Sequence, residues 1–242
     1  EIQAKEILKN YNDIVLVPTM GNLHDGHISL VNKAKELGKT IVSSIFVNPL
    51  QFGINEDFNT YPRTLKNDLE ELEKAGSHFV FCPSEDILKG IKERKAPSLS
   101  KKLCGKARPK HFDGVVTIVG KLFEVIKPQF AIFGLKDYQQ FLIIKNLIAS
   151  NNFEIELFGS PIVREQDGLA MSSRNNRLSS ENRLLAPEIY KRLKWIKENI
   201  SNKSNQSLIM ESIDFFQKKG LKLEYLKICD PDTLEDLNHF SG

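Results

Sequence analysis

The chain has 242 residues and a mass of 27.6 kDa, enough for one large domain or two modest ones with a real core. Its 40% hydrophobic and 27% charged composition excludes wholesale disorder, and a net charge of +3, from 34 Lys+Arg against 31 Asp+Glu, makes no general demand for nucleic acid. No apolar run approaches the roughly 18–20 residues that a membrane helix needs. No basic, apolar leader follows Glu1, and a start at Glu leads us to expect a trimmed natural terminus. Cys82, Cys104 and Cys229 are odd in number, widely spaced and form no CxxC. A disulfide framework is therefore not expected, and a reducing, cytoplasmic compartment is. Cys82, in the apolar stretch His78–Pro83, reads as packing.

Ile14–Val17 reads as a buried strand. His27–Leu37 then has helical spacing, with Ile28, Leu30, Val31, Ala34 and Leu37 apolar and Gly38 as its stop. Thr40–Val47 is the next strand. Thr64–Ala75 is a polar helix in which Leu65, Leu69 and Leu72 share a face, closed by Gly76. His78–Cys82 is a third strand, and Val115–Ile126 a helix stopped before Pro128. Phe130–Phe133 is a fourth strand, Tyr138–Ala149 a helix, and Phe153–Phe158 a fifth strand. The alternation predicts an α/β fold, a Rossmann-like parallel sheet covered by helices over residues 1–162. Residues 163–242 read as a smaller C-terminal α+β domain: a polar loop 164–177, helices over Ser180–Ile200 and Ser207–Lys219, and a strand over Leu221–Cys229. Lys89–Lys110, with nine Lys/Arg among 22 residues, reads as a mobile basic loop.

Ligands of such sheets sit at the carboxyl ends of the strands. The first strand runs into Pro18-Thr19-Met20-Gly21-Asn22-Leu23-His24-Asp25-Gly26-His27. Here a helix begins, and its first-turn N–H groups and positive dipole end favour an anion. Two imidazoles flank Gly26 and can donate to phosphate oxygens. A zinc reading of His24 and His27, with Asp25 adjacent, would need a third ligand from His78, His111 or a carboxylate, and none sits in a local motif. The second strand leads to Asn48 and Gln51, whose amides suit a hydroxyl-bearing carboxylate. The fourth leads to Gly134-Leu135-Lys136-Asp137-Tyr138-Gln139-Gln140: Lys136 brings a positive charge, Asp137 is placed to cap the next helix, and Gln140 points from its first turn. After the fifth come Val163 and the stretch Met171-Ser172-Ser173-Arg174, hydroxyls and a guanidinium suited to a polyphosphate.

HxGH after the first strand with a Met-Ser-Ser-Arg loop after the fifth resembles the nucleotidyltransferase superfamily, which includes the class I aminoacyl-tRNA synthetases with their HIGH and KMSKS motifs. Within it, PTMGNLHDGH, FVNPLQFG, YPRTLKNDLEELEKAG, RPKHFDGV, GLKDYQQ and VREQDGLAMSSRN are similar, in order and spacing, to the pantoate–β-alanine ligase family, over roughly residues 13–190. The resemblance implies ATP-dependent condensation of pantoate with β-alanine through a pantoyl adenylate, in pantothenate biosynthesis. It implies that Met20 through His27 line the ATP site, with His27 as proton donor and His24 beside it on the phosphates. It further implies ATP contacts from Gly134, Leu135, Lys136, Asp137, Val163 and Met171 through Arg174, with Lys136 and Arg174 as catalytic cations. Gln51 would meet pantoate and β-alanine, and Gln140 pantoate. Mg²⁺ would travel largely on the phosphates, with Asp68 nearby, and the second domain would act as a lid. Leu135 stands where the family often has an acidic or polar residue, and residues 191–242 match only loosely.

A homodimer is expected from the resemblance and from the apolar strand Thr40–Val47. A transferase that adenylylates or cytidylylates a phosphate-bearing acceptor would share HxGH but has no reason for Gln51 and Gln140. A nucleic-acid binder using 89–110 would need aromatic stacking groups, and none precedes His111 and Phe112 there.

Overall fold

The computed structural model describes residues 1–37 and 40–237 and divides into two compact units, Glu1–Val163 and a second beginning at Arg164. Gly38, expected to end the first long helix, lies outside the described residues. The first unit runs α1 (Ile2–Leu8), β1 (Ile14–Thr19), α2 (Asp25–Glu36), β2 (Thr40–Ile45), α3 (Leu65–Ala75), β3 (Phe79–Phe81), α4 (Leu103–Ala107), α5 (His111–Ile126), β4 (Phe130–Gly134), α6 (Tyr138–Ser150) and β5 (Glu156–Ser160). All strand pairs are parallel, in the order β3-β2-β1-β4-β5.

Successive strand residues face opposite sides of the sheet, so an apolar run fills two cores. Ile14 and Leu16 of β1 enter one cluster with Phe112, Val119 and Phe123 of α5 and Ile143 of α6. Val15 and Val17 enter the other with Val31 and Ala34 of α2 and Leu72 of α3. The run IVLV reads as a strand buried on both faces for this reason.

The strand order reverses at β1 and β4. These two strands pair only over Val15–Phe130 and Leu16–Ala131, whereas β1 follows β2 as far as Thr19–Ile45. Pro18 has no amide hydrogen to donate, and it lies beyond the last β1–β4 pair. The strands therefore part toward their carboxyl ends and leave a crevice at the topological switch point, where such sheets bind ligands.

Several expectations need correction. Lys89–Lys110 is tied down: it holds a 3₁₀ turn (Ser98–Lys101) and α4, and buried Gln139 donates to the Leu99 and Lys102 carbonyls while accepting from the Cys104 N–H. These anchors are polar, so no apolar periodicity announces them. Cys82 is exposed, just past the end of edge strand β3. Thr40–Val47 offers no free face for a dimer, because β2 is flanked by β1 and β3 and its centre is buried. The fifth strand begins at Glu156, with Phe153 and Ile155 packing on the core before it.

In the second unit, Ser180–Ile200 is two helices, α7 (Ser180–Leu185) and α8 (Pro187–Asn199), followed by α9 (Asn205–Lys218). Pro187 cannot continue α7 but suits the first turn of α8. Leu221–Cys229 forms no strand, only an isolated bridge from Cys229 to Asp236.

Candidate active site

The turn after β1 is built on a buried carboxylate. Gly21 and Asn22 both take left-handed conformations, φ 78° and 50°. A Cβ on Gly21 would lie 2.9 Å from Asp68 Oδ2. Asp68, in the first turn of α3 and 3% exposed, accepts from the Asn22 N–H at 3.0 Å and the Leu23 N–H at 2.9 Å. Thr64 Oγ1 donates to it at 3.2 Å. Both oxygens are thus engaged in holding the turn. No group of three or more His, Cys, Asp or Glu suited to a metal gathers among the described residues. The side chains here do not fit a protein-held Mg²⁺, and Asp68 is placed as a brace for the turn instead.

The two histidines cap α2 reciprocally. His24 Nδ1 accepts from the Gly26 N–H at 3.1 Å, and His27 Nδ1 accepts from the His24 N–H at 3.3 Å. A ring nitrogen that accepts carries no proton, so each neutral ring bears its hydrogen on Nε2. The rings lie 4.1 Å apart, centroid to centroid. Burial first, then His24 and Lys136, push the His27 pKa down to about 3. Without ligand, the His27 imidazole is therefore a neutral hydrogen-bond donor at neutral pH. The backbone amides of Gly21, Asn22, Leu23, His24, Gly26 and His27 all have acceptors within the protein. Those N–H groups are engaged within the protein, and the imidazole Nε2–H groups are the further donors at this helix end.

Across the switch point, Gly134 ends β4 and Leu135–Asp137 forms a 3₁₀ turn before α6. The Lys136 ammonium is close enough to His27 to depress it, and its side chain is 40% exposed. Leu135 packs on β5, where a Cβ on Gly159 would meet its Cδ2 at 2.6 Å. Asp137 occupies the N-cap position of α6 without a side-chain capping bond; its carboxylate lies 3.9 Å from Lys136 Nζ.

Gln51 closes a 3₁₀ turn, Pro49–Gln51, after β2. Its Nε2 lies 3.1 Å from Met20 Sδ, which joins it to the β1 turn. Asn48, 1% exposed, is not a ligand group: it donates to Gln51 Oε1 and the Gly114 carbonyl and accepts from the Leu50 N–H. Gln139 faces inward and holds the 99–104 segment, whereas the neighbouring Gln140 is half-buried. Sequence reasoning gave no role to Glu56, Arg108 or His111, which contact one another and the Gln51 carbonyl.

In the second unit, residues 164–170 form a tight hairpin through an Arg164–Ala170 bridge. The Arg164 guanidinium stacks 3.4 Å from the Tyr190 ring centroid. Asn175 Nδ2 donates to Glu165 and to the Ala170 carbonyl, and the Ser172 hydroxyl accepts from the Arg174 N–H. This fixes the path of Met171–Arg174, with the Arg174 side chain exposed.

A parallel 3-2-1-4-5 sheet, with paired histidines after β1 and a lysine after β4 at one switch point, defines a nucleotidyltransferase-type domain. The sequence profile of pantoate-β-alanine ligase matches residues 1–241. The chain belongs to the pantoate–β-alanine ligase family. It is 43% identical to the pantothenate synthetase of Psychrobacter sp. strain PRwf-1, over 99% of this chain and 87% of that one. It is 46% identical to that of Pseudomonas fluorescens strain Pf-5, over 91% and 80% respectively. A pantothenate synthetase structure from Thermus thermophilus superposes with a TM-score of 0.93 at 38% identity, covering 98% of this chain and 89% of that one. A pantoate-β-alanine ligase from Francisella tularensis, complexed with β-γ ATP and β-alanine, gives 0.84 at 34% identity over 95% and 87%.

Proposed function

We propose that this chain condenses pantoate with β-alanine, using ATP and releasing AMP and pyrophosphate. The observation that carries the reading is the juxtaposition of His24, His27 and Lys136 at the switch point, with Gln51 against Met20. A carboxylate is a poor electrophile in water, so it must first be activated. A pantoate carboxylate oxygen attacks the α-phosphorus, and the bond to the departing pyrophosphate breaks. Both reactants are anions, and the Lys136 ammonium and the two Nε2–H groups offset the charge that builds. The β-alanine amine then attacks the acyl carbon, AMP leaves, and the amine proton passes to solvent.

In this reading Met20–His27 and Gly134–Asp137 bind ATP, Leu135 through its backbone alone. Gln51 and Gln140 hold pantoate, and Gln51 also meets β-alanine. Val163, at the end of the first unit, and Met171–Arg174 of the second are assigned to the nucleotide on composition and family membership, and the second unit as a lid that excludes water. Mg²⁺ enters as the triphosphate's own escort. A cytoplasmic homodimer belongs to the same proposal, the compartment supported by the free cysteines and the dimer by family membership alone.

The test is AMP formation from ATP, pantoate, β-alanine and Mg²⁺ with each omitted in turn. The reading requires pyrophosphate release to depend on pantoate and AMP turnover to depend on β-alanine. Pyrophosphate released with a phosphate-bearing acceptor, and not with pantoate, would favour a nucleotidyltransferase instead.

A further inference from the structure

The turn that carries Gln51 sits directly on the start of α5. A Cβ on Gly114 would lie 2.1 Å from the Leu50 carbonyl oxygen and 2.6 Å from the Gln51 nitrogen, so only glycine admits this approach. His111, the first residue of α5 and 9% exposed, places Nδ1 2.7 Å from the Gln51 carbonyl oxygen. A carbonyl only accepts, so Nδ1 carries the hydrogen. Its Nε2 lies 3.2 Å from Arg108 Nη1. A guanidinium only donates, so Nε2 accepts. One neutral tautomer satisfies both contacts, and a doubly protonated ring would set N–H against N–H. Arg108 is itself clamped by Glu56, Nε to Oε1 at 2.7 Å and Nη2 to Oε2 at 2.5 Å.

We propose that Glu56, Arg108 and His111 are positioning residues that fix Gln51 for substrate through the neutral Nδ1–H form of His111. The proposal rests on the reading of Gln51 as a pantoate contact. Protonating His111 breaks the Arg108 contact and loosens the turn. The charged groups facing the ring are Arg108, which disfavours its protonation, and Glu56 and Asp137, which favour it; burial is the largest influence and holds the pKa below 6.5. Pantoate affinity therefore weakens as acid protonates His111, at a pH below the ordinary imidazole range, while ATP affinity does not.

The experiment measures pantoate KM, ATP KM and kcat from pH 5 to 8, with thermal melts, for the intact chain, His111→Asn, His111→Leu, Glu56→Gln and Gln51→Ala. Asparagine keeps a donor toward the Gln51 carbonyl and cannot be protonated in this range. His111→Asn is expected to hold pantoate KM within about threefold of the parent at pH 7.5 and to flatten its rise in acid. His111→Leu and Glu56→Gln are expected to raise pantoate KM about tenfold, the scale of one lost hydrogen bond, with ATP KM unmoved. If Gln51→Ala leaves pantoate KM unchanged, the reading of Gln51 falls and the relay with it. If Gln51→Ala raises it but Glu56→Gln and His111→Leu do not, the relay alone is overturned. An acid rise that persists in His111→Asn also overturns it, and that comparison decides the matter should the leucine variant not fold.

Discussion

Replacing His27 by glutamine separates two kinds of chemistry that an imidazole can perform. With its pKa at about 3, only about one ring in ten thousand is protonated at pH 7. An arriving polyphosphate raises a neighbouring pKa by about 1–3 units, which leaves at least about nine rings in ten neutral. The working form is then an Nε2–H donor, whose Nδ1 is occupied by the His24 amide. Glutamine can present an amide N–H near the Nε2 position but can never carry a proton as an acid. In single-turnover pyrophosphate release, His27→Ala should fall by about 10²–10³, the loss seen for one charge-stabilising donor. His27→Gln should fall by only about tenfold, reflecting an imperfectly placed hydrogen bond. The parent rate should hold steady from pH 7 to 8. A glutamine variant as impaired as alanine, together with a parent rate that declines as pH rises through 6–7, would mean that imidazolium does the work.

Lys136→Ala should lower pyrophosphate release by about 10²–10³ by removing the ammonium opposite His27, measured in the same assay. Gln140→Ala should raise the pantoate requirement and leave ATP binding nearly unchanged; calorimetric titration with a non-hydrolysable ATP analogue checks the second half, and a large loss there contradicts the role. Asp68→Asn leaves two turn amides without their charged acceptor, so urea denaturation should give a stability about 2–3 kcal/mol lower. The concentration of Mg²⁺ that gives half-maximal rate should not change in that variant. A variant of full stability that needs much more Mg²⁺ would return Asp68 to the metal.

The strands and long helices were legible because each is announced by an apolar run or stripe, and the HxGH turn because glycine and histidine are informative types directly after a strand. What the sequence hid is mostly polar. Gln139 and Gln140 are indistinguishable as letters, yet one is a buried internal anchor and the other is half-buried without those bonds. Asn48 and Gln51 likewise divide into a buried brace and a half-buried head. Asp68 was visible as an acidic group in a charged helix, but its partners, Asn22 and Leu23, lie 46 and 45 residues away and are backbone atoms that no composition records. The Glu56–Arg108–His111 chain joins a loop and a basic segment to the first residue of α5, where charge reads as solvation until coordinates pair it. Pro18 shows the converse: a proline that weakens a strand prediction marks where β1 and β4 separate.

The central claim is that a pantoate carboxylate oxygen becomes bonded to the α-phosphorus of ATP in the crevice between β1 and β4. Pantoate labelled with ¹⁸O in its carboxylate, turned over with ATP and β-alanine, tests it by mass spectrometry of the AMP. The account predicts AMP carrying one labelled oxygen and unlabelled pyrophosphate. Unlabelled AMP, with the heavy oxygen in inorganic phosphate or pyrophosphate, would mean that another phosphorus is attacked.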